Sequence, residues 1–413
     1  MSKTIRHLLL LAYLPFVTAS CGSEPSNAEA TETDGGADAG PDASMTVCQN
    51  RDWSFEILDD RSLAGYGASI VIDASGGTTI ASARSTGLAG DIVIAERRSG
   101  ETWQVADLTN TGTHAPYTDM LIDDNGVVHL AFHDVLDGFL RHAHRTSSDA
   151  WQIDDIKDTV SVGGIPSIAP DGAGVAIAHV DLQSAISDPF DLRLTRIAPG
   201  APPDTSIVDT RTASPWGILG LDLIRVSDGF ALVYPYSDGS GNSKYDLSFL
   251  RRHDDGVVEL SFIEPLSEQT VPESPKLVAL SEGRFVAVYS AYGPEGGVDP
   301  TVGGVWRAVS QDGITWTKEL MAPIGPCELD VALVGGEQVV VVATSHGVKQ
   351  AERLHILSGP ADGAWDHQEV PVSVGVALRP AIAMDAEGTV RVPFMAYSAG
   401  DTHLAYGEGR CRE

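Results

Sequence analysis

Positive charge is scarce in this chain: 27 Lys and Arg stand against 57 Asp and Glu, for a formal charge of −30. Nucleic acid is thereby excluded as a partner, because phosphate binding needs a basic face that releases counterions, and so is a polybasic contact with a membrane surface. An acidic surface keeps an extracellular protein soluble. Calcium is the one ion it could take, and nothing calls for another cofactor or a metal. The apolar run near the N-terminus, Leu8 to Val17, is interrupted by Pro15 and too short to span a bilayer comfortably. There is no nucleophile elbow, no phosphate-binding glycine loop and no HExxH zinc motif. Cysteine is limited to Cys21, Cys48, Cys327 and Cys411.

What is present is a repeat, clearest from Ala115 to Ile156. Tyr117 to Ile122 alternates, Asp123-Asp124-Asn125-Gly126 reads as a turn, and Val127 to Phe132 is a dense apolar run, so the pair predicts a hairpin. Phe139 to His144 reads as a third strand, and Ser147-Ser148-Asp149 turns the chain into a fourth beginning at Trp151. The unit is an antiparallel meander. Its first-turn glycine recurs as Gly76, Gly126, Gly174, Gly229, Gly283, Gly336 and Gly388, at intervals between 48 and 55 residues. Such units are the signature of an all-β, seven-bladed β-propeller in one domain. The 43 Gly and 23 Pro fit its many turns. Trp103, Trp151, Trp316 and Trp365 open their fourth strands and should fill the wedges between sheets.

The seventh copy ends too early: after His403 to Gly407 only six residues remain, Glu408 to Glu413. Asp52 to Asp59 matches the fourth strand at Ala150 to Asp155 and should complete the last blade, removing exposed sheet edges. That closure brings Cys48 beside Cys411 and predicts a disulfide, with Cys327 left as a buried free thiol. A ring closed in this way is expected to be a monomer.

At the N-terminus, Lys3, Arg6 and His7 precede the apolar run, and Thr18-Ala19-Ser20-Cys21 resembles the lipobox of bacterial lipoproteins. The resemblance implies a signal peptide over residues 1–21, lipidation of Cys21 and a place at the bacterial cell envelope, with membrane contact through the lipid anchor only; ordinary secretion is the alternative. Residues 22–47, rich in Gly, Ala, Asp, Glu and Ser, read as a disordered acidic linker to a propeller over residues 48–411. Within that body, Ser310-Gln311-Asp312-Gly313-Ile314-Thr315-Trp316 resembles the Asp box of sialidase-like and BNR-repeat propellers. Asp and Ser there fix a turn. The resemblance covers architecture and not an active site, because neither an arginine cluster nor an early Arg-Ile-Pro motif is present.

In a propeller, innermost-strand starts and second-strand ends converge on one face of the channel, the default binding site. Those positions carry Tyr66, Arg84, Tyr117, Trp216, Tyr234, Tyr289, His346, Arg379 and Tyr397, a rim whose aromatic and polar groups suit a glycan. His114, His133, His179 and Arg193 resemble the arrangement of seven-bladed ulvan-type polysaccharide lyases. By that resemblance His133 or His179 removes the proton beside a uronate carboxylate and Arg193 neutralises the carboxylate. His142 and His144 share one strand face and read as solvent-facing, while His129 reads as packed. The expectation is a non-catalytic recognition module for a glycan or an envelope or extracellular protein. The alternative is a polysaccharide-active enzyme, by ulvan-lyase-like β-elimination or sialidase-like hydrolysis, favoured if the three histidines and Arg193 converge in one pocket.

Overall fold

The computed structural model describes residues 48, 50–85, 90–109, 114–134, 139–146, 150–156, 165–181, 191–209, 220–237, 245–267, 271–292, 303–325, 327–345, 353–398 and 400–412. They form seven four-stranded antiparallel blades. Blades 1 to 6 open with Tyr66–Ile72, His114–Ile122, Ser167–Asp171, Asp222–Val226, Val271–Ala279 and Cys327–Val334. The innermost strand of blade 7 is split into Val376–Leu378 and Ala383–Met384. Each innermost strand touches the next, and blade 7 returns to blade 1, closing the ring.

Second strands are covered on both faces by neighbouring sheets, which is why they read as continuous apolar runs: Phe230 to Val233 and Val339 to Val342 are all fully buried. Outermost strands have one edge in water and carry mostly exposed residues, as in Gln152–Ile156. The turn acids act as predicted. Asp123 Oδ1 accepts the amides of Asn125 (2.9 Å) and Val127 (2.8 Å), and Asp73 does the same for Ser75 and Gly77 (both 2.8 Å). In the Asp-box turn, Ser310 Oγ accepts Gly313 N at 2.8 Å and Asp312 Oδ1 accepts Ile314 N at 2.8 Å. Trp103, Trp151, Trp316 and Trp365 all pack into apolar clusters of the core.

The ring closes through Arg51–Asp59, which pairs antiparallel with Asp401–Cys411. Cys48 and Cys411 form a disulfide across a sequence separation of 363. Cys327 is the one free cysteine among the described residues; its burial pushes the thiol up to about 12. Trp53 lies opposite Gly409 and Phe55 opposite Gly407. A Cβ at either glycine would come within 2.7 Å of the facing ring, so Gly407-Glu408-Gly409 is the surface on which the borrowed aromatics lie. Between these glycines, Glu408 points to the opposite face and spans the seam to blade 1. It accepts Arg97 Nη2 at 2.6 Å and Tyr406 Oη at 2.8 Å, and Arg97 stacks on Trp103. Burial would raise the Glu408 pKa, but hydrogen bonds from Arg97, Tyr406 and Arg410 outweigh it and hold the group at about 2, against the usual 4.5. A depressed carboxylate contributes stability above its unfolded pKa and loses it as pH falls through the folded one. Wild type should therefore exceed Glu408→Gln by about 3 kcal/mol at pH 7 in urea melts, with the two converging towards pH 2. A difference that does not change with pH would contradict the seam's ionic character.

Adjacent blades are joined at the channel by a recurring device. A polar side chain on one innermost strand accepts a backbone amide of the next: Asp119 from Ile168 (2.8 Å), Ser167 from Leu223 (3.0 Å), Asp222 from Leu277 (2.7 Å) and Asp330 from Ile382 (2.9 Å). These amides sit on inner sheet edges, where no further strand can pair with them.

Candidate functional site

The innermost strand of blade 7 breaks where Arg379 takes a left-handed conformation (φ 50°), which a non-glycine residue adopts only when its surroundings hold it there. Glu328 of blade 6 does so from two points. It accepts the Arg379 backbone amide at 2.8 Å and stands 3.2 Å from Nε. The guanidinium then lies over two rings, 5.1 Å from the centroid of Tyr66 in blade 1 and 5.4 Å from that of Tyr117 in blade 2. Burial alone would lower the pKa of Arg379; Tyr117 and Glu328 outweigh it, so the cation is retained. All four side chains are half-buried, and Arg379 Nη1 has no hydrogen-bond partner among the described residues. Residues up to 313 positions apart thus meet at the start of the innermost strands, the mouth of the channel.

Below this mouth, innermost strands from all seven blades enclose about 260 Å³. Lys276 Nζ is 3.0 Å from Asp330 and 3.9 Å from Asp222, and Asp119 lines the same space. These groups keep contact with the channel alone, so their charges are poorly solvated. Burial raises Asp119 and pushes Asp222 up to about 7; Lys276, which burial would lower, is raised by Asp330, Asp222 and Asp119. Sequence reasoning missed this set. Its signal was a polar residue recurring at the repeat interval inside apolar strands: Ser69, Asp119, Ser167, Asp222, Lys276 and Asp330.

Two of the other expected rim residues fall elsewhere. Tyr234 and Tyr289 are buried in the wedges, with hydroxyls donating to Asp209 and, at 2.6 Å, to Glu264 on the outermost strand of the preceding blade. They are packing residues and leave the rim. Arg84, near the end of the second strand of blade 1, is tied to Asp91 and Asp107. Tyr397 is exposed at the end of its strand. Trp216, His346 and the side chain of His114 lie outside the described residues.

His133 and His179 do come together. Their rings meet edge to face at 6.2 Å across the interface of blades 2 and 3, and Arg193 is the cross-strand partner of His179. Burial, with His133 and Arg193 adding to it, holds the His179 pKa well below the usual value, and its Nε2 contacts Thr195 Oγ1 at 3.0 Å. A neutral imidazole suits a general base, but both rings are 0% exposed, and a base must reach the proton it abstracts. His142 is a second correction: it is buried rather than solvent-facing, and His129 packs as expected.

No protein-family model matches the chain, and no curated protein matches it in sequence. Similar solved structures include an ulvan lyase from a new family of polysaccharide lyases, bound to -[GlcA(1-4)Rha3S]-, at 13% identity and TM-score 0.58, with 85% of this chain and 94% of that one covered. The polysaccharide lyase Uly1 follows at 8% identity and TM-score 0.55, covering 85% and 91%. A catalytically inactive virginiamycin B lyase from Staphylococcus aureus, solved with quinupristin, has 14% identity and TM-score 0.54, covering 87% and 100%. At these identities the chain shares with them the propeller fold, and only the fold.

Proposed function

We propose that this protein is a non-catalytic recognition module that takes a glycan at the channel mouth, over Tyr66, Tyr117 and Arg379. The observation that carries the reading is the convergence of these residues from three blades around a half-buried guanidinium. Tyrosine faces and hydroxyls meet sugar rings and hydroxyls, and the fixed fork of arginine adds directed donors. That polysaccharide lyases are among the proteins sharing this ring supports a carbohydrate ligand. Glu328 cancels the charge of Arg379 and the chain carries −30 overall, which favours an uncharged glycan over a polyanion. In this reading Cys21 is lipidated and residues 22–47 tether the ring to the bacterial envelope.

The test is binding of the purified protein to a broad glycan and polysaccharide panel, with and without calcium. A specific hit should weaken at least tenfold, about 1.4 kcal/mol, in Arg379→Ala and in Tyr117→Ala, with the melting temperature within a few degrees of wild type. A hit unaffected by either change would move the site away from the mouth, and silence across the panel would favour a protein partner. A lyase reading draws on the facing His133–His179 pair. It requires unsaturated uronate products that disappear in His179→Ala, and the burial of both rings opposes it.

A further inference from the structure

On the outer half of blade 2, one sheet face carries three histidines and a carboxylate that the channel mouth does not use, with Asp123 in the adjoining turn. His129 stands on the second strand, Val128–Asp134; His142 and His144 on the third, Phe139–Arg145; Asp154 on the fourth, Gln152–Ile156. Successive rings are stacked, with centroids 5.2 Å apart from His129 to His142 and 5.3 Å from His142 to His144. Both His129 and His142 are buried, which disfavours the charged form of each ring.

His129 Nε2 faces Asp123 Oδ2 at 3.5 Å, beyond hydrogen-bond geometry, and the neighbouring carboxylate favours the tautomer with the proton on Nε2. His129 Nδ1 is then an acceptor, and it lies 3.0 Å from His142 Nε2, which must donate. The lone pair of His142 is thereby directed to Nδ1, which is buried and has no hydrogen-bond partner among the described residues; His144 Nδ1 is likewise buried without a hydrogen-bond partner. Asp154 Oδ2 stands 3.6 Å from His144 Nδ1. A row that ends in two buried, unused nitrogens beside a carboxylate is costly when empty and is the donor set of a metal site.

We propose that His142, His144 and Asp154 bind a divalent transition-metal ion of the zinc type, with His129 and Asp123 fixing His142 from behind. The three residues each offer a ligand atom, all within 4.8 Å of one another. Tetrahedral bonds of about 2.0–2.1 Å bring ligands to roughly 3.4 Å, a contraction that rotation of Asp154, 64% exposed, can supply. Water takes the fourth position. Two imidazoles and one carboxylate select zinc, copper, nickel or cobalt over calcium and magnesium, which prefer oxygen alone. The Asp123–His129–His142 row corresponds to the carboxylate–histidine support that orients a ligating imidazole. The bound ion would tie the third strand of blade 2 to the fourth.

The experiment is zinc titration of metal-stripped, untagged full-length protein in competition with a chromophoric chelator, alongside cobalt(II) absorption spectra. Wild type should bind zinc with a dissociation constant of about 1 µM or tighter and give the visible cobalt bands of a nitrogen–oxygen site. His144→Ala and Asp154→Asn, both at partly exposed positions, should each weaken zinc at least tenfold and remove the cobalt bands, while melting like wild type in excess chelator. The proposal is overturned if wild type fails to bind zinc, or if binding survives both variants. It is also overturned if binding is lost instead in His367→Ala, which tests the smaller His355–His367–Glu369 group of blade 6.

Discussion

Deleting Arg51–Asp59 should leave a chain that does not fold to a stable monomer. The segment is the outermost strand of blade 7, in register with Leu404 to Cys411, although it comes first in the described fold and its partner last. Without it the inward rings of Trp53 and Phe55 vanish, the latter packed edge-on against Phe394 at 6.1 Å, and Gly407 and Gly409 are left bare. Three half-buried apolar side chains, Trp53, Phe55 and Leu58, contribute roughly 1–2 kcal/mol each. The Cys48–Cys411 link, which this strand's pairing with Asp401–Cys411 brings into register, contributes about 2–5 kcal/mol more. Together these approach the 5–15 kcal/mol that separates a typical native domain from its unfolded ensemble. The exposed edge also invites intermolecular pairing. Size-exclusion chromatography and circular dichroism should show aggregated or unfolded protein. A monomeric deletion variant melting within a few degrees of wild type would show that the ring does not depend on the borrowed strand.

Lys276→Met should cost about 3–5 kcal/mol at pH 7, because it removes the one cation among three poorly solvated carboxylates while keeping the length of the side chain. The sign with pH follows from the raised carboxylates. Asp222, pushed up to about 7 even beside Lys276, favours the folded state while protonated, and that contribution is lost as pH rises through 7. Asp119 shifts in the same direction. The deficit of Lys276→Met should therefore shrink as pH falls towards 4, where Asp222 and Asp119 take up protons and need less counter-charge. Adding Asp222→Asn to Lys276→Met should recover part of the loss at pH 7. Urea melts at pH 7 and pH 4 check both statements; an equal deficit at the two values would remove electrostatics as the cause.

The parts of this molecule that were legible in its sequence are those written in local pattern. Alternation in Tyr117 to Ile122 and the turn at Asp123 to Gly126 report strand and hairpin without knowledge of any distant partner. The unfinished seventh copy, the resemblance of Asp52 to Asp59 to a fourth strand, and the two flanking cysteines were enough to close the ring. Glycine placement was less exact. Gly174 and Gly229 open their second strands, where a Cβ would strike the carbonyls of Ile197 and Arg252, and the third blade turns at Gly172 instead. Tyr234 and Tyr289 were misassigned because strand-end positions alternate between channel and wedge, and one residue of register decides which. Tyr66, Tyr117 and Arg379 were legible as rim members, but the stacking that unites them depends on how seven blades close. The same holds for the histidines of blade 2, whose partners lie on three different strands.

The most direct test of glycan recognition at the mouth is the salt dependence of binding, measured calorimetrically for a neutral oligosaccharide from the panel and for its sulfated or uronate counterpart. With Arg379 paired to Glu328 on a strongly acidic protein, the neutral sugar should bind with an affinity unchanged between low and physiological salt, and the polyanion more weakly at low salt. Binding confined to the polyanion, tightening as salt is removed, would contradict the account and return attention to Arg193 and the buried histidine pair.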